Sequence, residues 1–255
     1  MGLNFTMNRN HLVSYGSVTE QFFTGYKHQY VLRVNEPVCQ YYGYVTDGIW
    51  RSTTELIAAQ NAGLAQSSDV VGGVKIIDYN KDGVVNTEDQ TTLGNPYPDF
   101  DWGFLNKFTY RQFDLSVNFQ GSHGFDVLMQ SFWYGQKMGK WYLDDLYVDE
   151  FHGNKPIKTG SIIESDYYVE DGSYLALRDF ILGYNLSSWK FMQKARIYFS
   201  VHNLFYWWYR DYHGINPEYV RSNPVDGVSG AILYGEQMQT KPLARTFQFG
   251  IDISF

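Results

Sequence analysis

The chain has 255 residues, a formal net charge of −7 and an isoelectric point near 5.3. Aromatic residues make up 18% of it, with 22 Tyr, 18 Phe and 7 Trp, and there is a single cysteine, Cys39. The acidity excludes nucleic acid as a partner class, because a phosphate backbone calls for clustered Lys and Arg. The lone cysteine excludes an internal disulfide and reads as a small buried hydrophobe. No window approaches the ~18 apolar residues of a spanning helix. A mean hydropathy of −0.36 is nevertheless compatible with membrane strands, whose alternating residues average to near neutral.

At the start, Leu3, Phe5 and Met7 alternate with Asn4, Thr6 and Asn8, which predicts a strand from the first residues. Neither the basic stretch nor the apolar stretch of an export signal precedes it. The expectation is therefore the C-terminal piece of a longer protein, or a truncated reading frame. A weaker strand is predicted over 38–45. A long polar stretch over 51–101 follows, with a short helix expected over 53–65.

Within that stretch, Asp78-Tyr79-Asn80-Lys81-Asp82-Gly83-Val84-Val85-Asn86-Thr87-Glu88-Asp89 has the spacing of a calcium loop. Side-chain oxygens fall at positions 1, 3, 5, 9 and 12 (Asp78, Asn80, Asp82, Asn86, Asp89). A backbone carbonyl falls at position 7 (Val84), and Gly83 occupies the sharp turn at position 6. Ca²⁺ is a hard cation that takes several oxygens, and alternate residues of a tight loop can aim them inward. Position 12 is Asp rather than Glu, as in dockerin-type loops. The competing reading is an Asx-rich surface turn. A structural Ca²⁺ within 71–95 is the expectation.

Next, Trp102, Phe104, Phe108 and Tyr110 share a face, and Leu115, Val117 and Phe119 share another. The polar Arg111-Gln112 between them predicts a hairpin. A short helix is expected over 127–138 and a second long polar stretch over 137–173. Phe180, Leu182, Tyr184 and Leu186 form a further face, with Arg178 on the same side by strict alternation. Ile197, Phe199 and Val201 alternate with Arg196, Tyr198, Ser200 and His202. A third polar stretch covers 206–241. The last strand sets Phe247, Phe249, Ile251, Ile253 and Phe255 against Thr246, Gln248, Gly250, Asp252 and Ser254. A barrel strand between lipid and an aqueous interior needs this pattern, and a terminal strand of a β-sandwich also fits it.

No catalytic constellation emerges. The histidines at 11, 28, 123, 152, 202 and 213 lack ligand spacing, and Asp144-Asp145 and Asp149-Glu150 read as solvated acidic patches. There is no phosphate loop or nucleophile elbow. The runs Tyr41-Tyr42, Phe132-Trp133-Tyr134 and 205–209 read as membrane girdle or loop packing, with sugar stacking as the alternative.

Taken together, several stretches resemble the C-terminal part of SusC/RagA-like TonB-dependent outer-membrane transporters. They include Tyr42-Gly43-Tyr44-Val45 with Asp47-Gly48-Ile49, Lys75 leading to Asp78–Gly83, and Leu93-Gly94-Asn95-Pro96 with Pro98-Asp99-Phe100. Phe113-Asp114-Leu115-Ser116, Phe119-Gln120-Gly121-Ser122, Ser173-Tyr174-Leu175 with Leu177-Arg178, and Leu182-Gly183-Tyr184 follow. Asn203-Leu204-Phe205, Arg245-Thr246-Phe247 and Phe255 complete the set. Gly73, where the family usually has an acidic residue, and Asn216-Pro217-Glu218, where Asp-Pro-Glu is common, depart from it.

The resemblance implies an all-β fold: roughly seven C-terminal strands of a 22-stranded transmembrane barrel with long extracellular loops, spanning residues 1–255. It implies a non-enzymatic transporter of the cell outer membrane that imports glycans or peptides. It further implies a SusD-like surface lipoprotein, outer-membrane lipid, and the TonB complex acting through an N-terminal region with no counterpart here. The competing reading is a secreted calcium-dependent carbohydrate-binding β-sandwich.

Overall fold

The computed structural model describes residues 1–24, 29–129, 165–186, 193–209, 212, 214, 216–218, 235, 237 and 242–254. In chain order the strands are β1 (Gly2–Met7), β2 (Glu20–Thr24), β3 (Gln29–Arg33), β4 (Gln40–Tyr44) and β5 (Thr46–Ile49). A helix, α1 (Thr53–Asn61), precedes β6 (Val74–Ile76) and β7 (Gln90–Gly94). Then come β8 (Phe100–Tyr110), β9 (Phe113–His123), β10 (Asp126–Leu128), β11 (Val169–Asp171), β12 (Tyr174–Leu186), β13 (Lys194–Trp208) and β14 (Thr246–Ser254).

Six of these strands form one antiparallel sheet in the order β1-β8-β9-β12-β13-β14. The alternation dictates its two faces. In register, Phe108, Leu115, Leu182, Phe199 and Phe249 make an apolar row across five strands. All but Leu115 of this row are exposed, as are Leu3, Phe5, Phe113, Phe247, Ile251 and Ile253 of neighbouring rows. A soluble protein would bury such a face; among the described residues no second sheet packs on it, unlike the paired sheets of a sandwich. Strands of 11, 11, 13 and 15 residues (β8, β9, β12, β13) reach or exceed the ~9–11 residues that cross a bilayer.

The connections are segregated. β8 turns into β9 through Arg111 and Gln112, with Arg111 at φ 53°. The three long connections (8–99, 124–173 and 209–245) all leave the opposite end of the sheet, because Met7 is opposite Phe100, and Ser122 opposite Tyr174, which is itself opposite Trp208.

These connections, expected to be polar loops, hold most of the buried core. Tyr30, Cys39, Tyr41, Ile49 and Val74 of the first pack with Phe125, Val127, Leu128, Met129, Tyr167 and Tyr168 of the second and Tyr212 of the third. Backbone bonds stitch them together: Asp126 N–H to Asn95 O (2.7 Å), Met129 N–H to Tyr168 O (2.7 Å), Leu128 N–H to Gly235 O (3.1 Å) and Gln237 N–H to Leu128 O (2.8 Å). Gln237, itself buried, accepts from Tyr212 Oη (2.6 Å) and donates to Asn216 O (2.7 Å), so its burial leaves no polar group of the amide stranded. We call this unit the cap.

Several sequence expectations change accordingly. The strand predicted over 38–45 exists as β4, but it lies in a four-stranded cap sheet (β2-β3-β4-β7) and not in the wall. The helix over 53–65 is α1, shorter at its end; Ser52 caps it by accepting from Glu55 N–H at 3.2 Å. The helix expected over 127–138 does not begin there. Val127 is opposite Glu170 in the β10–β11 pair, so cross-strand pairing overrides local propensity; the rest of that span, and Phe132-Trp133-Tyr134, lie outside the described residues. Asp144-Asp145, Asp149-Glu150 and the histidines at 28, 152 and 213 also lie outside them.

Candidate functional site

The polar face of the wall is organised by ion pairs that cross strands. Arg196 on β13 donates from Nε to Asp114 Oδ1 (3.0 Å) and from Nη2 to Asp114 Oδ2 (2.6 Å) on β9. β12 lies between these two strands. The guanidinium passes over Gly183, where a Cβ would sit 2.5 Å from both Asp114 oxygens and 2.7 Å from Arg196 Nε; only a residue without a side chain leaves this path open. Arg196 also lies over the Tyr198 ring (5.1 Å) and near Asp252 (3.7 Å). Further along, Asp179 bridges His202 Nδ1 (2.5 Å) and Asn118 Nδ2 (3.0 Å).

Strict alternation put Arg178 with Phe180 on the apolar side. The structure corrects this: β12 slips register between Leu177 and Asp179, opposite Asn203 at φ 53°. A bulge inserts one residue and reverses the facing of what precedes it. Arg178 therefore points to the polar face. Its Nε donates to Gln120 (2.8 Å), Nη1 to Asn203 (3.2 Å) and to the Tyr206 hydroxyl, and Nη2 pairs with Glu218 of the third connection. Its guanidinium lies 5.2 Å from the Tyr206 ring centre. Arg178 thus fastens the cap to the wall.

Beside it, where cap and wall meet, is a cavity of about 300 Å³ whose lining includes Pro96, Asp101, Phe125, Asp126, Arg178 and Glu218. Asp126 Oδ2 accepts from Asn95 N–H at 2.9 Å. Burial nevertheless pushes its carboxyl up to about 6, against that hydrogen bond and helped by neighbouring Asp171. Asp101 and Asp126 were not singled out from the sequence, and Glu218 was named there only within the stretch Asn216-Pro217-Glu218. Five separate segments bring them together, so no local spacing could have flagged them.

The calcium-like loop folds as a ladder of side-chain-to-backbone bonds. Asp78 accepts from Asp82 N–H (3.1 Å) and Gly83 N–H (2.8 Å), Asn80 from Asp82 N–H (2.9 Å), and Asp82 from Val84 N–H (2.8 Å). Asp89, fully buried, accepts from Tyr79 (2.8 Å), Asn80 (3.2 Å) and Asn86 (2.8 Å), while Asn86 accepts from Glu88 N–H at 2.6 Å. The loop leans on the end of α1 through Val85 N–H to Gly63 O (3.0 Å). Asp78, Asn80, Asp82, Asn86 and Asp89 are therefore interlinked, and the Val84 carbonyl faces Asn86 Nδ2 at 3.5 Å. Among the described residues no three His, Cys, Asp or Glu side chains gather as a metal cage. A cation here would need the amide and carbonyl oxygens as well.

No family model matches the chain. Curated relatives do. The chain is 31% identical over 239 residues to the TonB-dependent receptor P26 of Formosa agariphila, covering 88% of this chain and 23% of that protein. Over most of its length the chain is thus similar to part of a TonB-dependent receptor. A second relative, TonB-dependent receptor P3 of the same organism, is 28% identical over 272 residues, covering 99% of this chain and 26% of that protein. The chain thus spans about a quarter of the length of the curated relatives it matches.

The chain also has the fold of part of solved transporter structures. It superposes on the RagAB peptide transporter with a TM-score of 0.69 at 14% identity, over 99% of this chain and 26% of that chain. The "open-open" state of the RagAB peptide importer gives 0.63, again at 14%. These relatives are receptors and transporters rather than enzymes, and the six-stranded sheet is an open sector of a barrel wall: its apolar face lies toward lipid and its polar face toward the interior.

Proposed function

We propose that the whole protein is an active transporter of the cell outer membrane that imports peptides or glycans with energy delivered through TonB. The observation that supports it best is the two-faced wall: a continuous apolar band outside and, inside, an ion-paired polar face that opens into a cavity under the cap. An aqueous path bordered by fixed charges suits a hydrophilic cargo, whereas the outer face suits only hydrocarbon. The remainder of the barrel would supply the missing wall, since an open sheet in a bilayer leaves its edge N–H and C=O groups unsatisfied. A SusD-like surface lipoprotein would dock on the cap, and the TonB complex would act through the N-terminal region.

Deleting the gene should abolish uptake of fluorescently labelled oligopeptides or of labelled oligosaccharides by intact cells, and re-expression should restore it. Unchanged uptake of both classes would refute the transport reading.

The loop of Asp78, Asn80, Asp82, Val84, Asn86 and Asp89 would hold one structural Ca²⁺. Its carboxylates already accept backbone N–H groups and keep further lone pairs for a cation. The ion would fix the outer lobe of the cap, packed on α1, and would leave the wall strands untouched. Calorimetric titration of the receptor should show calcium heat that Asp82→Ala removes. No heat in the parent, or equal heats in both, would reduce the motif to an Asx-rich turn.

A further inference from the structure

On the side away from the cap, the lipid-facing side of the wall ends in a charged aromatic rim. We propose that this rim, Arg111 set among Tyr110, Phe113 and Tyr184, docks the phosphate headgroup of an anionic phospholipid. The inference rests on the lipid-facing wall and is independent of the cargo.

The β8–β9 hairpin builds the rim. Tyr110 closes it opposite Phe113, and Phe113 is opposite Tyr184 on β12. All three continue the face of Phe108, Leu115 and Leu182, and all three are exposed, Tyr110 to 70%. The Phe113 and Tyr184 rings meet edge to face, with centres 4.9 Å apart. Such rings favour the boundary between hydrocarbon and water. Arg111 follows Tyr110, and its guanidinium carbon lies 5.4 Å from the centre of the Tyr110 ring. A guanidinium laid on a ring keeps its N–H edge free, and that edge matches a pair of phosphate oxygens.

This cation lacks a countercharge. Arg111 has no ion pair among the described residues. The side-chain carboxylates of this end, Asp114 and Asp252, lie on the polar face and are shared by Arg196. Residues 187–192, between β12 and β13, include a lysine and no Asp or Glu. A headgroup of net negative charge supplies the missing anion, and its acyl chains lie along Phe108, Leu115 and Leu182, so the site is continuous with the lipid face. The backbone adds a separate argument. Arg111 has a φ of 53°, in the left-handed region where a tight hairpin loop favours Gly or Asn. An arginine held there carries strain that the turn alone does not require, and binding through its side chain offsets it.

The test reconstitutes the whole protein in phosphatidylcholine vesicles with a bimane label at position 182, introduced through Leu182→Cys. Cys39, buried in the cap, stays out of reach of the label. Dibrominated phosphatidylglycerol and dibrominated phosphatidylcholine are then compared as quenchers. The anionic lipid should associate with the labelled face about fivefold more strongly than the zwitterionic one. High salt should shrink the preference, Arg111→Lys should keep most of it, and Arg111→Gln and Arg111→Gly should abolish it. Arg111→Gly also relieves the left-handed backbone, so it should unfold in urea no more easily than the parent; lipid preference falls while stability holds. Lys107→Gln removes a positive charge from the polar face of the same strand and should leave the preference intact.

Equal association of the two lipids with the parent would overturn the docking site. So would a preference that survives both Arg111→Gln and Arg111→Gly, or one that Lys107→Gln abolishes as well. Uptake of cargo by cells is a separate measurement, so failure of the rim leaves the transport reading standing, and failure of transport leaves the rim to the quenching result.

Discussion

Arginine at Ile251 should destabilise the membrane-embedded receptor by about 2–4 kcal/mol, while arginine at Gln248 should cost about 0–1 kcal/mol. The two positions are three residues apart on β14 and differ in the face they present. Ile251 is exposed on the apolar side opposite Ile197; Gln248 is opposite Ser200 on the polar side. Ile251 lies in the middle part of the strand, where a guanidinium cannot easily reach either interface. At Gln248 the same group would meet water and the other polar residues of the inner wall. Urea titration of the whole receptor in lipid vesicles, followed by tryptophan fluorescence, measures both. Equal penalties would show that the outer face has been assigned wrongly.

The second large effect is expected at Gly235. Its φ is 94°, and a Cβ there would fall 1.7 Å from Tyr41 Oη and 2.5 Å from Pro96 Cβ. Tyr41 is buried and its hydroxyl donates to Asp126 O at 3.2 Å, so the ring has nowhere to move. Gly235→Val combines a wrong-handed backbone, about 1–2 kcal/mol, with overpacking, about 1–3 kcal/mol, for a total of about 2–5 kcal/mol. Gly16→Val is the control. Its φ is 58° but nothing lies within 4 Å of its Cβ, so only the handedness cost applies. Limited proteolysis should show the Gly235→Val cap opened and the wall intact. If both variants resist protease equally, the close packing of the third connection on Tyr41 and Pro96 is wrong.

The wall was legible from the sequence because its information is local. A strand of six or more residues with one apolar face prints its own period, so β1, β8, β9, β12, β13 and β14 could each be read from consecutive side chains. Where the period breaks, reading breaks: the bulge at Leu177–Asp179 reversed the facing of Arg178, and nothing in a single strand announces a bulge formed against its partner. The Asx-rich turns over 78–89 were likewise legible, since their ladder links residues at most ten apart. The cap was not. β5, β6, β10 and β11 have three or four residues, too few to display a period. Their burial comes from pairings such as Asn95 with Asp126 and Leu128 with Gly235, which no window of sequence contains. The cavity inherits the same difficulty, being assembled from both cap and wall.

The location of the core in the cap sets an order of events during biogenesis. Each connection enters the cap from stems whose height is fixed by strand register, and a slip of one residue would displace a stem and turn its side chains over. The aromatic interior shared by Tyr41, Met129, Tyr168 and Tyr212 can therefore close only after β8, β9, β12 and β13 have aligned. Cap formation becomes a proofreading step: a mispaired wall would leave tyrosine-rich segments open to proteases, while a correct wall seals them. Appearance of protease resistance in the cap should then lag behind insertion of the wall, which makes it a clock for the final stage of assembly.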